Sequence, residues 1–239
     1  MGLLLLSAPP IIPPSLRPSC YAWYDARKTN LADATKWTDY SGHGRDMTLY
    51  NFAGTPADGW VSGRPSHLQT DGVDSYGLYN PGATINAANT SCSLIVAVRP
   101  AGQTEDYYVM GSNGTDGAIL LYTYGGTLNP YIYDSLSGDA FVSLLQWTAG
   151  TWYIIALSYD QTTKKMSVYI NGVYAGISGA LTNGLMLINR AYIANNAGTE
   201  YCPESLGFLG LFPGKVLSEA DQKQIYNNNC KYFGLSKVA

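Results

Sequence analysis

Two short runs, SLIVAV (93–98) and YIIAL (153–157), are apolar at nearly every position. They are far shorter than the roughly 20 apolar residues that cross a bilayer. Unbroken apolarity over five or six residues also departs from the alternation of a half-solvated strand. Both runs therefore read as strands covered on both faces, and the chain must supply layers on either side of them.

From residue 20 onward the chain reads as short β-like runs separated by Gly, Asn, Asp and Pro. Strands are predicted at 20–24, 47–51, 76–79, 92–99, 107–110, 119–124, 130–133, 152–159, 166–170, 173–175, 191–194 and 206–212, and His67 begins another. In KKMSVYINGVYAG, Met166, Val168 and Ile170 alternate, and Asn171-Gly172 supplies the residues of a type I′ hairpin turn. Helix is scarce. LSEADQKQIYNN starts with Ser218 and Asp221 in capping-box spacing, with Leu217, Ala220 and Ile225 as its apolar side. NLADATKW, capped by Asn30, is expected to form a single turn. Many short strands and one late helix indicate an all-β sandwich. No internal repeat or later linker is present, so 20–239 is one domain, large enough to bury about 70–75% of its unfolded surface.

Several function classes are excluded early. Net charge is −3 and the fourteen Lys and Arg are scattered, so no basic stripe for nucleic acid exists. Cys20, Cys92, Cys202 and Cys230 form no C-x-x-C pair, and neither histidine stands at metal-ligand spacing from one of them, so no zinc site is expected. Four cysteines allow two disulfides or four buried thiols; the thiols are favoured, because the N-terminus lacks the form of an export signal.

That N-terminus, MGLLLLSAPPIIPPSLRPS, is expected to be an extended, proline-rich anchoring arm over residues 1–19. No Lys or Arg precedes Leu3, the apolar run ends at Leu6, and Pro9 and Pro10 break any helix, unlike a signal peptide or a membrane span. Gly2 lacks the Ser or Thr at position six that myristoylation wants. Leu3, Leu4, Leu5, Leu6, Ile11 and Ile12 could each supply roughly 1.5–3 kcal/mol on burial. Ordering nineteen residues at roughly 1–2 kcal/mol each matches or exceeds that gain, even with Pro9, Pro10, Pro13 and Pro14 holding φ in place. Backbone hydrogen bonds to a receiving surface are therefore expected as well.

Five segments, in order, resemble the laminin-G-like, concanavalin A-like family. They are YAWYDARK, DYSGHGRDMTLYNF, LQTDGVDSYGLY, WTAGTWYIIALSYDQTTKKMSVYINGVYAG and LGFLGLFPGKVLSEADQKQIYNNN, which together span about residues 20–235. The resemblance implies a two-sheet antiparallel jelly roll whose ligands, often glycans and in some members calcium, lie on the concave face or the rim loops. It also implies a link to virion proteins of tailed phages, where similar domains occur.

Catalysis is not expected. The family's glycosidases would carry an E-x-D-x-[x]-E strand, and retaining chemistry needs two carboxyls about 5–5.5 Å apart. Glu105, Glu200, Glu204 and Glu219 share no such strand, and neither His43 nor His67 accompanies a nucleophile elbow. GSNGTDG (111–117) lacks the lysine and helix of a phosphate loop. For calcium, Asp39, Asp71 and Asp74 stand in turn-like segments and fall short of six to eight converging oxygens, so no cofactor is expected.

The binding signal is tyrosine, with twenty copies against five each of Phe and Trp. In ILLYTYGGTLNPYIYDS, Tyr122 and Tyr124 fall on one strand face and Tyr131 and Tyr133 on one face of the next. Tyr107, Asn113, Asp116 and Asn195 are rim candidates near them. The tyrosines are a stacking platform for sugars or cross-strand pairs that stabilise a sheet. The leading expectation is a multi-copy virion surface protein, a phage capsid-decoration, head-fibre or tail component, anchored to other virion proteins by its arm and displaying a lectin-like domain. The alternative is a free-standing extracellular lectin, with a glycoside hydrolase a distant third.

Overall fold

The computed structural model describes residues 12–101, 105–111, 117–124, 127–134, 138–142, 147–194, 201 and 203–239, with backbone alone at 105–111, 122–124, 138, 139 and 141. The strands in chain order are β1 (Ala22–Asp25), β2 (Lys36–Trp37), β3 (Met47–Tyr50), β4 (Gly59–Val61), β5 (His67–Asp71), β6 (Tyr76–Tyr79), β7 (Cys92–Pro100) and β8 (Glu105–Gly111). They continue with β9 (Gly117–Tyr124), β10 (Thr127–Asp134), β11 (Gly138–Phe141), β12 (Tyr153–Asp160), β13 (Lys165–Ile170), β14 (Val173–Ile177), β15 (Arg190–Ile193) and β16 (Pro203–Pro213). One sheet runs β14-β13-β12-β7-β16-β5-β4, with β1 also on β16, and the second runs β11-β10-β9-β8-β15-β6-β3-β2. All of these pairings are antiparallel, giving the expected two-sheet jelly-roll sandwich.

SLIVAV lies in β7 and YIIAL in β12, and their apolarity has a direct cause. Leu94, Val96 and Val98 enter the core between the sheets, together with Ile155 and Leu157. The alternate residues Ile95, Ala97, Ile154 and Ala156 enter a second apolar cluster on the outer side of the first sheet. That cluster is closed by helix α1 (Glu219–Asn229), by a 3-10 turn at Cys230–Phe233 and by a second 3-10 turn at Pro14–Ser19. Between the sheets, Trp37 lies 5.7 Å from both Tyr24 and Trp60, ring centroid to ring centroid.

Local chemistry sets the element ends. Asn171 (φ 53°) and Gly172 (φ 75°) form the type I′ turn between β13 and β14. Ser218 Oγ accepts from Asp221 N–H at 3.2 Å, and Ser218 N–H donates to Asp221 Oδ2 at 3.0 Å, completing the capping box. The buried side of α1 departs from expectation, because Ala220 is exposed and Gln222, Ile225, Tyr226 and Asn229 are buried. Each amide finds hydrogen-bond partners inside, although Gln222 Oε1 is left buried without one. Gln222 Nε2 donates to Leu217 O (2.9 Å) and Ser158 Oγ (3.2 Å), and Asn229 Oδ1 accepts from Arg27 Nη2 (2.8 Å). NLADATKW is not helical. Asn30 closes a turn through Ala32 and Asp33 N–H, and Trp37 then pairs with Met47 in β2–β3 and is drawn into the core.

Residues 1–11, including Leu3, Leu4, Leu5, Leu6, Pro9, Pro10 and Ile11, lie outside the described residues. From Ile12 the chain is packed on its own sandwich. Ile12, Pro13 and Leu16 are buried, Pro14 is exposed, and residues 14–19 turn as a 3-10 helix rather than running extended. Cys20, Cys92 and Cys230 are buried free thiols. Burial, with help from Asp39, pushes the Cys20 thiol up to about 12, and burial alone raises Cys92 well above an ordinary thiol. Cys202 lies outside the described residues.

Candidate ligand-binding face

The two outer faces of the sandwich differ. The first sheet's outer face is covered by the terminal helical segments, whose Leu16, Ile225, Tyr226 and Phe233 pack there. On the second sheet, Met47, Leu49, Ala191, Ile193, Ile119, Leu121 and Ile132 point into the core, so their strand neighbours point outward. Among the described residues, no helical segment belongs to this outward face. Its own apolar cluster is small: Ala118 and Tyr192, with Leu78, Leu120 and Tyr133 against them.

Register assembles the face in rows, since directly paired residues stand on one side of a sheet. Tyr50 pairs with Tyr76, and their rings stack at 4.8 Å and 12°. Tyr201 reaches the same group at 6.1 Å from Tyr76. Burial, reinforced by Tyr50, Tyr201 and Tyr192, raises the Tyr76 hydroxyl pKa, so it remains a protonated donor. The next row runs Leu78, Tyr192, Val109, Leu120, Tyr131 and Phe141. Beside it run Arg190, Gly111, Ala118, Tyr133 and Asp139. Arg190 Nη1 donates to the Tyr192 hydroxyl, and its guanidinium lies 5.7 Å from that ring's centroid.

The hairpin expected for Tyr122, Tyr124, Tyr131 and Tyr133 is β9–β10. Tyr122 pairs with Asn129 and with Tyr107, Tyr124 with Thr127, and Tyr131 with Leu120. Tyr131 and Tyr133 are half-buried; for Tyr107, Tyr122 and Tyr124 only the backbone is described. Asn113, Asp116 and Asn195 lie outside the described residues. Sequence reasoning missed Tyr50, Tyr76, Tyr192, Tyr201 and Arg190. Alternation in YGLY (76–79) and RAYI (190–193) carried part of the signal, but only strand order sets β3, β6 and β15 beside β8–β10.

The acidic groups serve the scaffold. Asp39 accepts from the Trp23, Ser41 and Arg45 backbone N–H groups at 2.8–3.0 Å. Asp71 sits in a tight turn; burial opposes its ionisation, but hydrogen bonds from Val73, Ser75 and Asp74 outweigh that and hold its pKa low. Among the described residues, no three metal-ligating side chains converge. Ser41 Oγ bonds Asp39 Oδ2 (2.7 Å) and His43 Nδ1 (3.0 Å), which puts the serine, not the histidine, between the other two. A catalytic triad needs the base in the middle. His67 is buried against Pro65 O (2.9 Å) and Trp152, far from a nucleophile's role, and burial lowers its pKa. A depression of about 230 Å³ by Ile12, Trp23, Lys28 and Tyr40 lies at the root of the N-terminal segment, on the other side of the sandwich.

The family model described as concanavalin A-like lectin/glucanases superfamily matches residues 71–211. Among solved structures, the receptor-binding domain of botulinum neurotoxin C/D mosaic serotype superposes with a TM-score of 0.68 at 13% identity, over 92% of this chain and 55% of that one. The binding domain of Paraclostridial Mosquitocidal Protein 1 superposes with a TM-score of 0.65 at 14% identity, over 92% and 56%. A structure of botulinum neurotoxin type C, whose cell entry is described as dependent on interaction with two ganglioside molecules, gives a TM-score of 0.64 at 13% identity, over 89% and 52%. The chain thus spans about half the length of these structures. No curated protein sequence matches it.

Proposed function

We propose, for a chain that belongs to the concanavalin A-like lectin/glucanases superfamily, a role as a non-catalytic glycan-recognition module that binds through the outer face of its second sheet. The observation that carries this reading is the row system of Tyr50, Tyr76, Tyr131 and Tyr133 around the buried Tyr192, on the sheet face that the terminal segments leave uncovered. Tyrosine presents an apolar ring to the apolar face of a sugar and a hydroxyl to its edge. A sandwich face is rigid, so these rings are held in place before binding, which lowers the entropy lost on association. The ganglioside dependence of a toxin with the same fold agrees with this reading. The scaffold roles of Asp39, Asp71 and His67 support the absence of catalysis.

The test is a glycan array with the wild-type chain, Tyr76→Ala and Tyr133→Ala. Binding by the wild type, weakened by about tenfold or more in each variant, is the expected result. Failure to bind any glycan, or binding by both variants as tight as the wild type's, refutes the reading.

A second reading, a multi-copy virion or other anchored surface component, is favoured by where the N-terminal segment is rooted. Ile12 and Leu16 pack on the first sheet's outer face, opposite the tyrosines. A partner holding residues 1–11 there would leave the tyrosine face directed away from the anchor. Deleting residues 1–11 would then abolish incorporation into a particle and leave glycan binding intact; normal incorporation of the truncated chain refutes this reading.

A further inference from the structure

The depression of about 230 Å³ at the root of the N-terminal segment combines an apolar surface with two free cations. The half-buried Tyr40 and the buried Ile12 and Trp23 supply the apolar part. Arg17 and Lys28 line it beside Gly42, and all three of these residues are exposed. Both cations stand on fixed backbone. Arg17 lies in the 3-10 turn between the buried Leu16 and Cys20, and its carbonyl accepts from Cys20 N–H at 3.1 Å. Lys28 N–H donates to Asp25 O at 3.1 Å, and its own carbonyl accepts from the Tyr40 hydroxyl. The Lys28 ammonium lies 5.4 Å from the Tyr40 ring centroid, held over that ring with its donors unused.

Charge around the depression is unbalanced. No acidic residue lines it. Among the described residues no carboxylate lies within ion-pair distance of Arg17 or Lys28, and neither side chain forms a hydrogen bond. The carboxylates of the neighbouring segments are already committed. Asp25 is fully buried against Arg27 at 2.8 Å, and Asp46 is paired with Lys36 at 3.1 Å. Asp39 is buried and accepts from the Trp23, Ser41 and Arg45 backbone N–H groups. Residues 1–11, MGLLLLSAPPI, contain no Asp or Glu, so the chain's leading segment carries no acidic side chain to balance these cations. A guanidinium fork and a point-like ammonium on one small concavity are complementary to an oxyanion.

We propose that this depression is a second binding site, independent of the tyrosine face, for a compact organic anion. Its carboxylate or phosphate is received between Arg17 and Lys28, and its body lies against the Tyr40 ring. The volume is below the roughly 300–1,000 Å³ of sites for drug-sized ligands, which limits the occupant to a small molecule. Nothing here depends on the glycan reading, because the site lies on the other side of the sandwich.

The experiment follows backbone amide shifts of the full-length chain by NMR during titration with glucose, glucuronate, glucose-6-phosphate and inorganic phosphate. The Gly42 amide reports this site and separates it from any binding at the tyrosine face. Glucuronate or glucose-6-phosphate is expected to shift Gly42 saturably, about tenfold more tightly than glucose or inorganic phosphate. Raised salt should weaken that binding, because exposed charge contacts are screened. Arg17→Gln and Lys28→Gln, both at exposed positions, should each weaken it by about threefold to tenfold. Lys165→Gln, four strands from β1 across the first sheet, should leave it unchanged. Tighter binding of the carboxylate or of the phosphate identifies the anion, and either supports the proposal. Inorganic phosphate bound as tightly as the organic anions means an adventitious ion only and overturns it. Equal binding of glucose, no saturable shift at Gly42, or unchanged affinity in either variant overturns it as well.

Discussion

Gly210 offers a sharp test of how the covered outer face is packed. It lies in β16 directly opposite Trp23 of β1, and the indole leans over it to stack on Phe208 at 5.0 Å. A Cβ at this position would lie 2.6 Å from Trp23 Cζ3, 2.7 Å from Cε3 and 3.0 Å from Ile95 Cγ2. Trp23 and Ile95 are each only 1% exposed, so neither can move into solvent. Overpacking of this kind costs about 1–3 kcal/mol. Alanine also restricts the unfolded chain, which returns about 0.4–1 kcal/mol. Gly210→Ala should therefore be destabilising by about 1–2 kcal/mol, a fall of roughly 2–8 °C in Tm for a chain of this size. Gly179→Ala is the control, since its Cβ would meet only Ala140 Cβ at 3.9 Å. Thermal and urea unfolding, followed by near-ultraviolet circular dichroism of the tryptophans, measures both. Equal stability of Gly210→Ala and the wild type, or an equal loss in Gly179→Ala, would refute the packing argument.

Three further outcomes are expected. Asp25→Ala removes the fully buried partner that Arg27 grips at 2.8 Å through both Nε and Nη2, leaving a largely buried guanidinium uncompensated; a loss of about 3–5 kcal/mol in urea unfolding is expected. Gly172→Ala combines a left-handed residue (φ 75°) with a Cβ 2.6 Å from Tyr226 Cδ1, so it should cost more than Gly210→Ala in the same assay. Burial lowers the pKa of His67 in the folded chain below its unfolded value, so the unfolded state takes up the proton first as pH falls. Stability should be full above the ordinary histidine range and decline as pH drops through it toward the lowered folded value. His67→Gln should flatten that part of the curve of urea midpoint against pH; an unchanged slope would remove His67 as its source.

Much of the fold was legible along the chain because the physics involved is local. SLIVAV and YIIAL marked doubly covered strands, Asn171-Gly172 marked a turn needing positive φ, and Ser218 with Asp221 marked a helix start. The short strands β2 and β4 escaped notice because two or three residues carry no periodicity and pair only when partners arrive. The buried side of α1 escaped for another reason: Gln222 and Asn229 read as solvent-facing until Ser158 and Arg27, far away in sequence, supply their hydrogen bonds.

For the candidate site, alternation along β9 and β10 identified Tyr131 and Tyr133 as neighbours on one face. It could not identify Tyr50, Tyr76 or Tyr192, which lie 50 or more residues away from them and join only through strand order. A period of two separates the faces of a strand without saying which face solvent reaches. That choice is tertiary. The first sheet is closed because the residues around Ile12, Leu16, Ile225 and Phe233 land on it. The second keeps its tyrosines and Arg190 outside that cover. The sequence by itself determined the strands, the turns and the wealth of tyrosine; where the terminal segments packed decided which tyrosines became a surface.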